Sequence, residues 1–534
     1  MSDTNKKQTF LHGAALLAIA TAVVKLIGAF YKIPMKMIIG DQGYGYFMTA
    51  YDVYSVFLLI STAGLPVAMS RMISQANATG KTNQIRRIYK TARIIFLGLG
   101  LCSSVFVVLG SRWLAGVQKQ PNAAIAIACL GPCTLFMGIV STFRGFFQGQ
   151  GNMRPTSNSQ MLEAFFKLVI GLGLAFVLMW QFNDVPVAVG GAIFGVTASC
   201  MISSLFLYSK FRPAYRDLPE SDDEPRSYWS TAKGLLVIAI PITMGAAGLQ
   251  LLTVLEQRLY MGQLLTANGL SQDMADTLKG IYSMTMTIYN MPCAFIVPIA
   301  ISVLPAVTAY LTQHDDKNVR GTEESAARIA GLISLPCSVG LIILARPIMA
   351  LLGGYVGWKL DLAEKLMTLL GFCVFLYANI QYTNALLQAH GYAHVPVIHM
   401  LICGAMKLAV VYLLVGNPNI GILGAPTGSV LAYSAIAFLN LFAIYRLVPQ
   451  KPKLFRNLLR PLLPALIMGA AVFGTKFAII TLLGNNFSNV LLVGISMGVG
   501  MVVYFAAVVF CKSITAEDCK LLPKGEKIAK LLKL

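Results

Sequence analysis

The chain alternates between long apolar runs and short polar or charged breaks, and this alternation is its dominant pattern. The runs reach the roughly 20 apolar residues that an α-helix needs to cross a bilayer. They lack the alternation of a membrane β-strand, and a span must satisfy its backbone hydrogen bonds internally. The pattern predicts fourteen transmembrane helices, near residues 11–39, 45–70, 92–111, 122–148, 156–181, 187–209, 234–257, 281–311, 327–351, 364–388, 395–415, 421–446, 460–483 and 487–511.

Composition supports a membrane protein. The chain has 534 residues, of which 56% are hydrophobic and 12% charged. A soluble domain is about 25% charged and disorder requires low hydrophobicity, so both classes are excluded. The first run is too long for a secretory signal and is expected to stay as a helix. The net charge of +20 would suit nucleic-acid binding only on a basic soluble surface. Because little soluble surface is available, no nucleic-acid partner is expected.

Basic residues are distributed unequally between the two ends of the predicted helices. Of the 42 lysines and arginines, 28 fall in the N-terminus, the even-numbered loops and the C-terminus. Seven fall on the opposite side: Lys36, Arg112, Lys119, Lys279, Arg346, Lys359 and Lys365. Because basic loops stay in the cytoplasm, this distribution predicts cytoplasmic N- and C-termini. The lysine-rich tail could also contact anionic membrane lipids.

The two halves of the chain resemble each other at a spacing of about 240 residues. At that spacing, Gln148, Gly151, Lys167 and Leu168 return as Gln388, Gly391, Lys407 and Leu408. An even number of helices in each repeat gives both copies the same orientation, which is typical of transporters with a substrate site between two lobes. We predict two pseudo-symmetric six-helix lobes at 1–209 and 234–447, a cytoplasmic linker at 210–233, and two further helices with a basic tail at 448–534.

Ionisable residues inside predicted helices are the candidate functional residues. A charge at the bilayer centre costs at least about 2.5–3.5 kcal/mol, so it usually faces a cavity or a partner. Glu256 and Arg258 are candidates for a coupling ion or proton. The candidate substrate-binding residues are Lys25, Asp52, Arg144, Glu163, Lys167 and Lys407. The basic members outnumber the acidic ones, so a central cavity lined by them should prefer an anion.

Structural roles stay open for several of these residues. Glu163 and Lys167 are four residues apart on one helix and therefore share a face, where they could form only an ion pair. Arg144 and Arg258 could extend to the membrane interface. Lys25 and Lys407 have no acid three or four residues away, which favours a hydrated cavity for both.

Motifs of enzymes are missing. The sequence has no P-loop or other ATP signature, no Cys/His metal spacing, and no Ser/His/Asp or paired-carboxylate arrangement. The outward loops are short, whereas an integral-membrane glycosyltransferase or ligase would need more extramembrane structure. We expect a transporter without cofactor or metal rather than an enzyme.

One stretch carries a family signature. Residues 143–156, FRGFFQGQGNMRPT, are followed by Ser159, Gln160 and Glu163. The stretch resembles the RGYFQG…NM.PT..SQ..E signature of the stage V sporulation protein B/YtgP group. These proteins are polysaccharide-biosynthesis-type transporters of the MOP superfamily, which includes the MurJ lipid II flippases. The resemblance also covers the helix count, the two lobes and the opening helix with Lys25-Leu26-Ile27-Gly28.

The resemblance implies an all-α MurJ-like fold. It also implies flipping of a polyprenyl-diphosphate-linked cell-wall precursor, with lipid II expected, across the bacterial plasma membrane by alternating access. Lys25 corresponds to a cavity arginine of MurJ helix 1, and Glu256 to an acidic position of helix 7. Two features depart from MurJ. The cavity arginines of MurJ helices 2 and 8 have no basic counterpart here. Lys407 lies in helix 11, where some MurJ proteins carry the acids of a sodium site, so coupling to sodium, to protons or to the membrane potential stays open.

Three alternatives stay open. They are a MATE-type multidrug or cation antiporter, a flippase for another lipid-linked glycan, and a membrane enzyme. The expected partners are the lipid-linked glycan and membrane lipids, and the chain is expected to function as a monomer. Contact with the cell-wall synthesis machinery and a role in sporulation are also open.

Overall fold

The chain is helical in a computed structural model, which describes residues 3–62, 64–483, 488–515 and 518. Side chains are not described at 3–23, 25–26, 29, 61, 245, 249, 297–302, 305–306 and 483. The α-helices of the described residues are α1 Asp3–Thr62, α2 Leu65–Ala78, α3 Thr82–Leu109, α4 Ser111–Val117, α5 Ala124–Gly149, α6 Arg154–Phe182, α7 Val185–Arg216, α8 Tyr228–Thr266, α9 Gln272–Thr312, α10 Asp316–Ile343, α11 Ala345–Gly353, α12 Gly357–Ala389, α13 His394–Val415, α14 Gly424–Leu447, α15 Leu454–Leu459, α16 Leu462–Leu483 and α17 Asn489–Phe510.

The hydropathy pattern located these helices well. Every predicted transmembrane segment overlaps one of them, and eleven candidate spans in the described part of the chain are long and apolar enough to cross a membrane. The fold is therefore that of an all-helical polytopic membrane protein. The number of fourteen spans stays a prediction.

Three predicted segments have different limits in the structure. The first two lie largely in α1, which is interrupted at Gly40 by a non-helical conformation with φ 70° and ψ −173°. The second segment also ends earlier than predicted, because α1 stops at Thr62 and 65–70 belong to α2. The ninth segment is divided between α10 and α11.

The chain forms two compact units, 1–280 and 281–534. In the first unit, aromatic rings of α3, α5 and α7 pack together, with the ring centroids of Tyr89 and Phe211 4.4 Å apart. The core of the second unit contains Val319 of α10, Leu386 of α12 and Leu458 of α15. The predicted lobes, 1–209 and 234–447, stay a prediction.

The same turn occurs once in each unit. Gly151 follows α5 with φ +77°, and Gly391, 240 residues later, follows α12 with φ +84°. In both turns the glycine N–H donates to a glutamine carbonyl three residues earlier, Gln148 and Gln388, at 3.0 Å. Only glycine adopts such a positive φ at little steric cost. The turn gives a structural basis for the Gln/Gly part of the sequence repeat.

The linker folds back onto the first unit. It is shorter than predicted, because α7 continues to Arg216 and α8 begins at Tyr228. The Asp223 carboxylate accepts the backbone N–H groups of Asn83 (2.8 Å) and Gln84 (2.9 Å), two donors that lack partners at the start of a helix. Burial alone would raise the pKa of Asp223, but hydrogen bonds from Ser221, Asn83 and Gln84 lower it overall. Asp223 therefore caps α3.

Helices α6 and α7 approach closely through two glycines. A Cβ added to Gly195 of α7 would lie 2.4 Å from the backbone of Gly171 of α6. Small residues allow such close backbone contact between membrane helices. The contact fixes α6, which carries Glu163 and Lys167, against α7.

We predict that Gly195→Ala destabilises the protein and that Gly173→Ala does not. The added methyl at Gly195 meets backbone that cannot move aside, and overpacking typically costs about 1–3 kcal/mol. Gly173 is on the same pair of helices but has nothing within 4 Å of an added Cβ, and alanine is the better helix former. Thermal unfolding of the purified proteins in detergent measures both. Equal Tm values for the two variants would contradict this packing.

Candidate functional site in the first unit

A group of polar side chains lies buried inside the first unit. We call this group the buried polar cluster: Tyr46, Thr49, Gln120, Gln257, Asp276 and Lys279. Its members come from α1, α8, the first turns of α9 and the segment before α5. Only 1% of Lys279 is exposed. Such a group must be hydrogen-bonded or paired, because an unpartnered buried charge is strongly unfavourable.

The Thr49 hydroxyl is the centre of this cluster. It accepts hydrogen bonds from Gln257 Nε2 at 2.9 Å and from the Lys279 ammonium. It also lies within donating distance of the Gly45 carbonyl oxygen at 3.0 Å and of the Gln120 side-chain carbonyl. One hydroxyl on α1 thus connects side chains of α8, α9 and the segment before α5.

Asp276 supplies the negative charge of the cluster. Its Oδ1 accepts from Gln120 Nε2 at 2.8 Å and from Gln272 Nε2 at 2.9 Å. Its Oδ2 accepts from the Tyr46 hydroxyl at 3.0 Å, which in turn accepts from Asn122 Nδ2 at 3.1 Å. Three neutral donors therefore stabilise the carboxylate, and Lys279 interacts with it electrostatically.

A row of charged side chains continues from this cluster along α1. Asp52 interacts electrostatically with Lys279, with Lys32 and with the buried Glu256. Lys32 in turn interacts with Asp52 and with Lys167 of α6. The predicted residues Asp52, Glu256 and Lys167 are thus brought into one region.

The other end of the row lies between α5 and α6. Arg144 Nη2 and Glu163 Oε2 form an ion pair at 3.0 Å, and Arg144 Nε donates to Ser159 Oγ at 3.0 Å. Glu163 is therefore paired across two helices, in addition to sharing a face of α6 with Lys167. The Lys167 ammonium lies 5.5 Å from the ring centroid of Tyr31 and 5.3 Å from that of Tyr51, within the range of cation–π attraction.

The charges of this region balance. The described residues include four basic side chains, Arg144, Lys32, Lys167 and Lys279, and four acidic ones, Glu163, Asp52, Glu256 and Asp276. Lys36 and Asp41 add a further ion pair at 3.1 Å. The excess of cations expected from the sequence is thus not found among these described charges of the row.

Three predicted site residues lie elsewhere. Arg258 is exposed on α8, so it does not accompany Glu256 into the buried row. Lys407 is half-buried on α13 of the second unit, where it interacts electrostatically with Cys373. Lys25 falls within α1, but its side chain lies outside the described residues.

Two lysines assigned to outward loops are buried instead. Lys279 lies within α9, and Lys36, 8% exposed, lies within α1. Without these two lysines, five of the seven basic residues stay on the side opposite the termini, so the basic asymmetry of the chain increases. Sequence reasoning also did not select Lys32, although it follows Lys25 by seven residues, about two helical turns. Nothing in the sequence marked the neutral residues Thr49, Gln120 and Gln257 as members of a site.

The described residues contain no group of three His, Cys, Asp or Glu side chains arranged to hold a metal ion.

Comparison with known proteins identifies the family. Residues 10–311, more than half of the chain, match the family model described as "Polysaccharide biosynthesis protein". The chain belongs to this family. Residues 278–413 match a second model, "MatE". Together these matches confirm the expected membership of the MOP superfamily, and the protein is a transporter rather than an enzyme.

Three curated relatives come from Bacillus subtilis (strain 168). The chain is 26% identical to "Uncharacterized membrane protein YabM", covering 99% of this chain and 97% of that protein. It is 23% identical to "Stage V sporulation protein B", covering 84% and 86%. It is also 23% identical to "Lipid II flippase MurJ", covering 74% and 76%.

Solved structures support the same fold. "Lipid II flippase MurJ, inward closed conformation" superimposes with a TM-score of 0.67 at 15% identity, covering 93% of this chain and 99% of that chain. A MATE-family multidrug transporter in an inward-facing conformation gives 0.63 at 18% identity, covering 80% and 99%. The chain thus has a MurJ- and MATE-like fold.

We predict that Lys279→Met destabilises this family member by about 3 kcal/mol, because removing one of several interacting buried charges leaves the carboxylates of Asp52 and Asp276 uncompensated. The double variant Lys279→Met/Asp52→Asn should lose less stability than the sum of the two single losses, since it removes both charges. Unfolding of the purified proteins in detergent measures the coupling. The matched control is Lys119→Met, whose side chain is exposed. Additive losses in the double variant would show that Asp52 and Lys279 are not coupled.

Proposed function

We propose that this transporter is a flippase for a polyprenyl-diphosphate-linked cell-wall precursor, with lipid II as the cargo. It would move the headgroup from the inner to the outer leaflet by alternating access. The similarity to a protein named as a lipid II flippase, over 74% of this chain, supports a lipid-linked cargo. The identity of 23% leaves the choice of lipid II as part of the proposal.

The observation that carries the proposal is the setting of Lys167. Its ammonium lies over the rings of Tyr31 and Tyr51, and no carboxylate of the described residues forms an ion pair with it. A cation held by aromatic rings in a membrane helix is available to an anionic ligand. A diphosphate, whose oxygens accept strong charge-assisted hydrogen bonds, is such a ligand.

The remaining candidates would complete the binding site. Arg144 and Lys32 lie at the two sides of Lys167 in the row of charges. Lys25, which falls within α1, is the other cation proposed for this site. The polyprenyl chain would stay in the lipid, so that only the headgroup needs a polar path.

Acidic residues of the row have a separate proposed role. Asp52 and Glu256 interact with each other electrostatically, and Glu256 is buried. We assign the coupling proton to this pair, with Glu256 as the first candidate. Arg258 is dropped from this role because it is exposed.

The proposed topology has fourteen spans, two six-helix lobes at 1–209 and 234–447, and two further helices in the bacterial plasma membrane. Both termini are placed in the cytoplasm by the basic asymmetry. The transporter is proposed to act as a monomer on its lipid-linked substrate.

We predict that Lys167→Gln lowers headgroup translocation about tenfold, because a hydrogen bond to a charged group contributes about 1.5–3 kcal/mol. The assay is the appearance of lipid II in the outer leaflet of cells depleted of their own lipid II flippase and expressing the variant. Lys81→Gln, an exposed residue losing the same charge, is the control. Thermal unfolding separates lost transport from lost folding. Full activity of a folded Lys167→Gln protein would refute this site.

We also predict that collapsing the membrane potential slows flipping in vesicles. An anion leaving an inside-negative cell gains about 2.3 kcal/mol per charge for each 100 mV. The measurement compares translocation of a diphosphate-linked lipid before and after addition of a potassium ionophore. An unchanged rate would show that no net charge moves outward with the headgroup.

A MATE-type cation antiporter is the second candidate. It is favoured by the MatE match over 278–413 and by the TM-score of 0.63 to a MATE transporter. The balanced charge of the row fits a cationic substrate as well as an anionic one. Reconstituted protein that moves cationic dyes but not lipid II would select this alternative.

A further inference from the structure

A cavity of about 830 Å³ opens in the second unit, apart from the row of charges. It lies between the first turns of α10 and the segment around the short helix α15. Five of its lining residues are basic and one is acidic: Arg320, Arg328, Lys453, Arg456, Arg460 and Glu324.

The floor of the cavity is fixed by internal pairing. The buried Arg328 forms an ion pair with Asp518 at 2.9 Å and donates to Asn457 Oδ1 at 2.7 Å. Glu324 Oε1 accepts from Arg320 Nε at 3.0 Å and from the backbone N–H of Lys453 at 3.1 Å. Both acids near the cavity are thus already engaged by Arg328, Arg320 and the backbone.

The rim of the cavity keeps its positive charge. The side chains of Lys453, Arg456 and Arg460 are exposed, and no carboxylate of the described residues pairs with any of them. Arg460 is oriented by one hydrogen bond, from Nη2 to the Lys512 carbonyl oxygen at 2.5 Å. Three cations around a concave surface make a site for an anion with several oxygen acceptors, such as a phosphate.

The surroundings of the rim indicate where that phosphate comes from. The apolar helix α16 begins two residues after Arg460, so the rim lies where a membrane helix emerges from the bilayer. Phe455 lies between Lys453 and Arg456 in the sequence, and 64% of its surface is exposed. Exposed aromatic rings beside lysine and arginine are typical of the headgroup level. Basic pockets at that level bind anionic lipid headgroups.

We propose that this cavity binds the phosphate headgroup of an anionic phospholipid, with Lys453, Arg456 and Arg460 as the ligands. The phosphate lies against the three cations, and the acyl chains extend beside Phe455 and α16. The site is independent of the transport cargo, because its residues lie outside the row of charges in the first unit.

The test measures binding of phosphatidylglycerol to the full-length protein by native mass spectrometry, after delipidation and titration of the lipid. Each basic residue near an anionic membrane surface contributes about 1 kcal/mol, or roughly fivefold in affinity. K453Q/R456Q should therefore bind about 25-fold more weakly, and R456Q alone about fivefold. The double variant R71Q/K81Q removes the same charge from exposed positions outside the cavity and should bind as the unaltered protein does.

Three results would overturn the proposal. Equal weakening by K453Q/R456Q and R71Q/K81Q would show general surface attraction. Displacement of the lipid by inorganic phosphate at comparable concentration would show a site for a soluble anion. Phosphatidylcholine, titrated in parallel, should not compete, and competition by it would equally count against a charge-selective site. If K453Q/R456Q does not fold, R456Q alone decides.

Discussion

The fold of the first unit depends on neutralising charged side chains inside a membrane-embedded bundle. Lys279 is almost fully buried, and its ammonium is stabilised by the Thr49 hydroxyl and by electrostatic interaction with Asp52 and Asp276. Each of these groups would be strongly unfavourable in an apolar environment by itself. Because the partners come from α1 and α9, the charges can be buried only when these helices are in place. Gln120 and Gln257 donate hydrogen bonds to Asp276 and Thr49. The segment before α5 and helix α8, which carry these two glutamines, must therefore also be in place.

Packing provides the geometry that this charge arrangement needs. The glycine contact between α6 and α7 fixes the helix that carries Glu163 and Lys167. The ion pair of Arg144 with Glu163 then joins α5 to α6. Asp223 caps α3 from the linker, so even the connection after α7 is held to the unit. Small residues, caps and ion pairs thus act on successive helices of the same unit, and together they orient the row of charges.

Hydropathy was sufficient to predict the helices, because each long apolar run can satisfy its backbone only as a helix. Hydropathy also predicted a break between residues 39 and 45, and this interval contains Gly40, where α1 is interrupted. By contrast, it misplaced Lys279, which stands beside an apolar run that begins after it in the sequence. The boundary residue could lie in a loop or in the helix, and only the contact with Thr49, 230 residues away, decides between the two.

The candidate site was predictable in part. Isolated charges such as Asp52, Lys167 and Glu256 are conspicuous in apolar sequence, and they do meet in one region. The hydrogen-bond partners of Lys279 and Asp276 include threonine and glutamine side chains, which membrane helices tolerate without a functional reason, so sequence gives no cause to select them. The balance of charge was not predicted either, because Asp276 lies outside the predicted span and Lys32 was not among the candidate residues.

Balanced charge constrains the proposed transport cycle. An anion entering a row that is already neutral has to compete with Glu163, Asp52 and Glu256 for the same cations. Lys167 is the natural first contact, because aromatic rings rather than a carboxylate hold it. Further binding requires that an acid of the row either moves away or takes up a proton. In the proposed cycle, Asp52 and Glu256, which interact electrostatically, are the acids that would take up the proton, and Lys32 and Lys279 would then be released for the headgroup. Departure of the headgroup would restore the internal interactions and expel the proton. The same electrostatic interactions that bury these charges in the empty protein would thereby drive release of the substrate and couple it to a proton.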